Sequence, residues 1–385
     1  MKPLLPLALI ALLAAIPARA SACAAIGRSG DTIEIASEAA LIVWDEANKT
    51  EHFIRRATFQ STGYDFGFLV PTPSLPEVAE SDDEVFTRLA DITKPKVEVR
   101  TKTASFGCGS GMSPKAASED FSHIGAGIQI LQHKRVGDHD VVSIKFDRTK
   151  GGAEAGAGEL AQWLVRFGYG FGDALKDWIK PYVEQDWIIT AFRILGEKPS
   201  EPEPAKGATG RSARNALNTL RAKPVRLTFK TDRPVYPYRE PADQRDEKAK
   251  YEARLLRVYF ASETRVGAKI GDGTASWPGQ TVWADKLQDA ERADLIAKGK
   301  LPADVGPKEW FVTEFEDRSS PRPGVAELYF SPSANQATVA RPPSIEWRVS
   351  ELPWVIGLAI CLGLPALTFV VLAVIRMRRS SEGRR

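Results

Sequence analysis

Residues 160–195 read LAQWLVRFGYGFGDALKDWIKPYVEQDWIITAFRIL, two helical stripes followed by an extended run. Leu160, Trp163, Leu164 and Phe167 recur at i, i+3, i+4 and i+7, which puts four bulky apolar side chains on one helical face. Gly168 follows where a helix needs a residue able to turn left-handed. Phe171, Ala174, Leu175, Trp178, Ile179 and Tyr182 repeat the spacing in a second helix, with Pro181 expected to kink it. Asp186 to Leu195 is apolar on both faces, as a strand covered on both sides of a sheet would be. Helices handing over to a buried strand predict helices packed on a sheet, an α+β fold. Trp163, Trp178 and Trp187 resemble a ligand-stacking set, but the helical spacing assigns them to the core.

Upstream, period-two patterning predicts strands over 32–35, 39–44, 52–59 and 64–70, with a turn at Asp45-Glu46-Ala47-Asn48 and a stop at Pro71-Thr72-Pro73. Ser81-Asp82-Asp83-Glu84 is a capping-box pattern opening a short helix through Leu89, with Val85, Phe86 and Leu89 inward. A strand over 97–103 leads into a glycine-rich stretch, and 128–136 with 140–146 form a hairpin around Gly137-Asp138-His139. Downstream, GEKPSEPEPAKGATGRSAR (196–214) has almost no apolar residue and is expected to be a linker. Beyond it, strands over 225–230, 255–261, 310–315 and 326–330 and a polar helix over 284–298 predict a small antiparallel sheet with one covering helix. The expectation is a mainly β ectodomain in two halves, 23–195 and 215–350, with a helical hairpin at about 158–184 packed on the first.

Both ends read as targeting segments. Lys2, the apolar run 4–16 and the small-residue sites Ala18-Arg19-Ala20 and Ala20-Ser21-Ala22 make residues 1–22 a signal peptide. Residues 352–375 carry no charge and, at 1.5 Å per residue, reach about 36 Å, enough for a transmembrane helix. Arg376, Arg378, Arg379, Arg384 and Arg385 follow, so residues 376–385 are expected on the cytoplasmic side and the ectodomain outside. The whole chain has 52 basic and 49 acidic residues. Setting aside Lys2, Arg19, the five tail arginines and Glu382 leaves 45 against 48, which removes any case for nucleic-acid binding.

Of three cysteines, Cys361 falls in the apolar span. Cys23 and Cys108 lie in the exported part, where two lone thiols are expected to pair; the competing reading is a lipidated Cys23, although Ala20-Ser21-Ala22 lacks the large aliphatic residue such a signal prefers. No Cys-x-x-Cys is present.

Phe68-Leu69-Val70-Pro71-Thr72-Pro73, Val136-Gly137, Glu159-Leu160 with Trp163-Leu164, Gly168-Tyr169, Tyr182-Val183, Trp187, Leu227-Thr228-Phe229 and Val235-Tyr236-Pro237, taken in order, resemble the bacterial domain of unknown function 2330 (DUF2330). The resemblance implies an exported protein with a cysteine near its mature N-terminus and often one membrane span. It implies no reaction, ligand or catalytic residue.

No Gly-x-Ser-x-Gly elbow, Walker loop or His-Glu-x-x-His occurs. Gly107-Cys108-Gly109-Ser110-Gly111 lacks the lysine and helix start of a phosphate cradle. In the predicted hairpin His133 faces Val142 and not His139, so Asp138, His139 and Asp140 read as turn residues before a metal site. The sequence therefore predicts no metal, cofactor or catalytic set. It predicts a membrane-anchored, non-catalytic binding or scaffolding module of the cell envelope, partnered by an envelope protein or surface component. An envelope hydrolase is the alternative, and it would require Ser122, His123, Asp138 or His139 to converge in a cleft.

Overall fold

The computed structural model describes residues 24–31, 33–102, 128–147, 152–195, 218–242, 254–273, 275–319, 321–349 and 370–376. Two compact units divide the chain, one within 1–93 and 115–340 and a smaller one within 94–114 and 341–385.

In chain order the elements are β1 (Ala25–Gly27), β2 (Ile33–Asp45), β3 (Thr50–Ser61), β4 (Asp65–Thr72), β5 (Glu77–Glu80), α1 (Glu84–Ile92), β6 (Val97–Lys102), β7 (Ile128–Val136), β8 (His139–Phe146), α2 (Gly152–Arg166), α3 (Asp173–Glu184) and β9 (Ile188–Leu195). The second part of the chain adds β10 (Asn218–Arg221), β11 (Val225–Lys230), β12 (Val235–Tyr236), β13 (Leu255–Ser262), β14 (Val266–Ile270), β15 (Gln280–Lys286), α4 (Asp289–Lys298), β16 (Phe311–Asp317), β17 (Leu328–Pro332) and β18 (Ser344–Val349).

The larger unit holds three sheets. One is five-stranded and antiparallel, in the order β1-β4-β9-β8-β7. The largest is eight-stranded, running β15-β16-β13-β2-β3-β11-β5 with β10 also on β3. A small third sheet is β12-β17-β14. In the eight-stranded sheet β2 shows why a strand can be apolar throughout. Ala40, Ile42 and Trp44 point into one core with Phe59, Phe66 and Phe68, while Ala39, Leu41 and Val43 point into another with Val85, Phe86, Leu89, Leu295 and Trp310. Alternation thus assigns successive residues to opposite faces, and both faces are covered. Phe59 stacks on Phe68 and tilts against Phe66 at 5.9 and 4.7 Å, so the two large sheets meet face to face there. α1 and α4 cover the outer face of the eight-stranded sheet, and α2 and α3 the outer face of the five-stranded one.

The mainly β, α+β architecture is as expected, and so are the hairpins β2–β3 and β7–β8, the helices α2 and α3 and the central place of β9. Gly168 ends α2 with φ +81°, and α3 continues through Pro181. Several expectations are corrected. β4 runs through Pro71, which pairs with Ile189. Leu69 N–H donates to Ala24 O on the β1 side, so the missing N–H of Pro71, two residues on, faces away from β9 and interrupts none of that ladder. Ser81 does not cap α1: its hydroxyl donates to Gly299 O at 3.2 Å, and Asp82 accepts from Glu84 N–H instead. Residues 284–286 belong to β15, and α4 begins only at Asp289, where Glu291 accepts from Gln288 N–H at 3.0 Å. The two expected halves are not separate sheets. β11 pairs with β3 and β13 lies parallel to β2, so segments on either side of 196–214 interleave in one sheet.

The smaller unit pairs β6 in parallel with β18, from Val97↔Ser344 to Lys102↔Val349, and residues 370–376 are helical. Among the described residues no helix is long and apolar enough to cross a membrane. The expected span 352–375 lies mostly outside those residues, as do the expected signal peptide, the 196–214 linker, Cys23, Cys108 and Cys361.

Candidate functional site

A cavity of about 420 Å³ opens between α2 and the outer face of the five-stranded sheet, within the range of small-molecule sites. The register of that sheet builds its floor in rows. Leu69, Ala191 and Val142 stand side by side on β4, β9 and β8, with His133 opposite Val142 on β7. One row over come Gly67, Arg193, Asp140 and Arg135. Trp163, Leu164 and Phe167 of α2 and Tyr169 beyond it form the roof. Small residues in the floor leave the space. Gly67 is fixed by backbone approach, since a Cβ there would stand 2.8 Å from Phe192 O.

Polar groups gather along the Gly67–Arg135 row. Asp65 accepts from Arg28, from Arg193 at 2.9 Å and from the Tyr169 hydroxyl at 2.9 Å. Burial opposes ionisation of Asp65, but the hydrogen bonds from Arg193 and Arg28 outweigh it and hold the carboxyl below its usual range. Burial and the neighbouring Asp65 raise the Tyr169 hydroxyl, which stays protonated. His133 Nε2–H donates to Asp140 at 2.7 Å. Trp163 Nε1–H is shut off from solvent and has no acceptor.

The histidine and aspartate candidates do not converge. His133 faces Val142, as the hairpin register requires, and pairs with Asp140; Asp138 pairs with Lys223 at 3.0 Å. His139 points into the other face of the sheet, between Phe68 and Phe192, where burial lowers its pKa to about 4. Ser122, His123 and the glycine-rich stretch around Cys108 lie outside the described residues. Among the described residues no group of three His, Cys, Asp or Glu is arranged to hold a metal. Trp178 and Trp187 are core residues as their spacing implies, whereas Trp163 is only partly buried and lines the cavity.

A second polar cluster is sealed in the larger unit. Arg55 donates to Glu38 at 2.5 and 2.9 Å, Arg254 to Glu240 at 2.8 Å, and the Tyr238 hydroxyl to Asp317 at 2.7 Å. Arg322 stands 3.6 to 3.9 Å from Glu38, Glu240 and Asp317. Arg55, Arg322, Glu38, Glu240 and Asp317 are all buried, with only Arg254 partly exposed at the margin, so the centre of this cluster has no solvent access and acts as an internal brace. Removing one partner of such a pair would cost about 3–5 kcal/mol, because the other charge stays buried.

The sequence reading missed Ala191, Arg193, Asp65 and Arg28. Their only signal is cross-strand register, which sequence spacing does not carry.

No curated protein matches this chain. One solved structure, a mutated baculovirus P35 after caspase cleavage, aligns over 79% of this chain and 98% of its own at 7% identity. Its TM-score of 0.29 carries no inference. A family model matches residues 17–324, most of the chain and nearly all of the larger unit. On that match the chain belongs to DUF2330, a family of uncharacterized proteins conserved in bacteria.

Proposed function

We propose that this protein is an exported, non-catalytic binding module of the bacterial cell envelope, anchored by one membrane span, and that the cleft beneath α2 is its ligand site. The cleft carries the reading. It is apolar in depth, polar along one row, and its histidine is committed to an aspartate with no serine, threonine or cysteine among the lining residues. Export and anchoring rest on the sequence of residues 1–22 and 352–385.

Ala191 stands in the middle of the floor, so Ala191→Phe fills the cleft without touching the polar row. The full chain in amphipol is expected to enhance 1-aminoanthracene fluorescence, and Ala191→Phe to lose most of that signal while melting within a few degrees of the parent. Equal signal from both proteins would remove the cleft as the site. Covalent labelling by a hydrolase-directed fluorophosphonate, abolished by one serine substitution, would replace the binding reading with the hydrolase one. For location, protease added to spheroplasts is expected to digest the ectodomain and leave a small fragment bearing the arginine-rich tail. Full protection would overturn the orientation.

A further inference from the structure

We infer that β6 and β18 form a headgroup-binding ribbon, which sets Arg100 and Lys102 beside Arg348 at the outer surface of the membrane to hold anionic phospholipids; the inference rests on the proposed span at 352–375. The strands pair in parallel, so each register step is one level along the ribbon. The levels run Val97↔Ser344, Glu98↔Ile345, Val99↔Glu346, Arg100↔Trp347, Thr101↔Arg348 and Lys102↔Val349. Charge is sorted along them. Both carboxylates, Glu98 and Glu346, stand in the first three levels, and Arg100, Arg348 and Lys102 occupy the last three, one to a level. Lys94, Lys96 and Arg341 precede the first level. Neither strand alone carries three successive cations; the pairing assembles them from distant parts of the chain.

The basic end is the one nearest the span along the chain. β6, β18 and residues 352–375 belong to the same smaller unit, and only Ser350 and Glu351 separate Val349 from Leu352. Fully extended, those three steps reach about 10 Å, so Val349 lies at most that far from Leu352. Each level back along the ribbon adds about 3.3 Å. Headgroups occupy about 5–7 Å beyond the hydrocarbon, and an exposed charge is felt over about 8 Å more, so the cationic levels lie within or at the edge of that reach. Glu351 offsets one of the three cations, which leaves this end net positive. Tryptophan favours the water–membrane boundary, and Trp347 stands at the first cationic level. Cations on the outer side of a span run against the distribution that orients it, so topology does not explain these three. Anionic headgroups do, because each basic residue near an anionic surface adds attraction.

The test uses the full chain in nanodiscs of phosphatidylcholine alone or mixed with phosphatidylglycerol. Either lipid carries a diazirine in its acyl chain or on its headgroup, and labels are mapped by peptide mass spectrometry. The acyl-chain probe is expected to mark 352–375, which reports the span by itself. The phosphatidylglycerol headgroup probe is expected to mark both 344–349 and 97–102, more than the phosphatidylcholine headgroup probe does, and high salt should reduce the excess. Arg100→Gln is expected to lower the phosphatidylglycerol-to-phosphatidylcholine ratio at 97–102 about fivefold, the worth of one basic residue at an anionic surface, while Arg100→Lys keeps it. Headgroup labels in 344–349 alone, equal labelling by the two headgroups, or a ratio unchanged in Arg100→Gln would overturn the ribbon, and acyl-chain labels in 352–375 would still leave the anchor standing. Absence of the acyl-chain labels would overturn the anchor, and the ribbon with it.

Discussion

His139 is held between Phe68 and Phe192, each ring meeting it in a T-shaped contact at 6.0 and 5.9 Å, and neither of its ring nitrogens has a partner. An imidazole in that place stays neutral, because charging it would strand a cation away from water. Burial is the main cause of its lowered pKa, about 4 against 6.5; Asp138 opposes the shift, while Lys223 and Arg55 add to it. The sign follows. The unfolded chain takes up a proton near pH 6.5 and the folded one only near 4, so stability is fully present above 6.5 and is lost as pH falls from 6.5 to 4. The loss from this residue reaches about 3 kcal/mol by pH 4. His52, lowered to about 4 chiefly by burial, adds a loss of the same sign in the same window. His139→Phe should keep the aromatic sandwich and remove one of the two contributions. Its Tm plotted against pH is expected to be at least as high as the parent's at pH 7 and to fall less steeply between 6.5 and 4. A slope unchanged from the parent would show that the imidazole finds a proton partner in solution.

At the scale of elements, the parts legible in the sequence are those whose determinants are local. The stripe Leu160, Trp163, Leu164, Phe167 gives α2 because four side chains at helical spacing need one common surface, and residues 139–146 return along β7 because Gly137-Asp138 closes a tight turn. The misread elements depend on partners far along the chain. Pro71 looks like a strand end until the direction of its nitrogen is known, and that direction is set by β1 and β9. Ala284 to Lys286 read as the start of a helix until β16 pairs with them. The candidate site divides the same way. The His133–Val142 pairing was legible from hairpin register, and so was the failure of His133 and His139 to meet. The cleft was not, because Ala191 and Gly67 matter only as neighbours across strands, and Trp163 carries the same helical signature as a fully buried tryptophan.

The whole larger unit is organised by pairings that leap the 196–214 segment. β11 adds to β3 from Val225↔Arg55 to Lys230↔Thr50, and β13 adds to β2 in parallel from Leu255↔Ser37 to Ala261↔Val43. Remove everything after residue 195 and the eight-stranded sheet loses β10, β11, β13, β15 and β16, while β5, which is held by β11, loses its partner. Both edges of the β2–β3 hairpin would then be bare, and Ala39, Leu41 and Val43 would lose Tyr259, Leu295, Trp310 and Val312 from their core. Bare edges and uncovered apolar faces favour aggregation over folding. From its composition, rich in proline, charge and glycine, we expect that the backbone can be cut within 196–214 without disturbing a core. Cleavage and truncation at the same point should therefore give opposite results. A single proteolytic cut within 196–214 is expected to leave one cooperative melt within a few degrees of the intact protein, with both fragments co-eluting. Residues 24–195 and 218–349 made separately should each lack a cooperative transition, and mixing them from denaturant should restore it. A folded 24–195 fragment, with dispersed amide resonances and its own sharp melt, would show instead that the five-stranded sheet and its helical roof stand without the strands that follow residue 214.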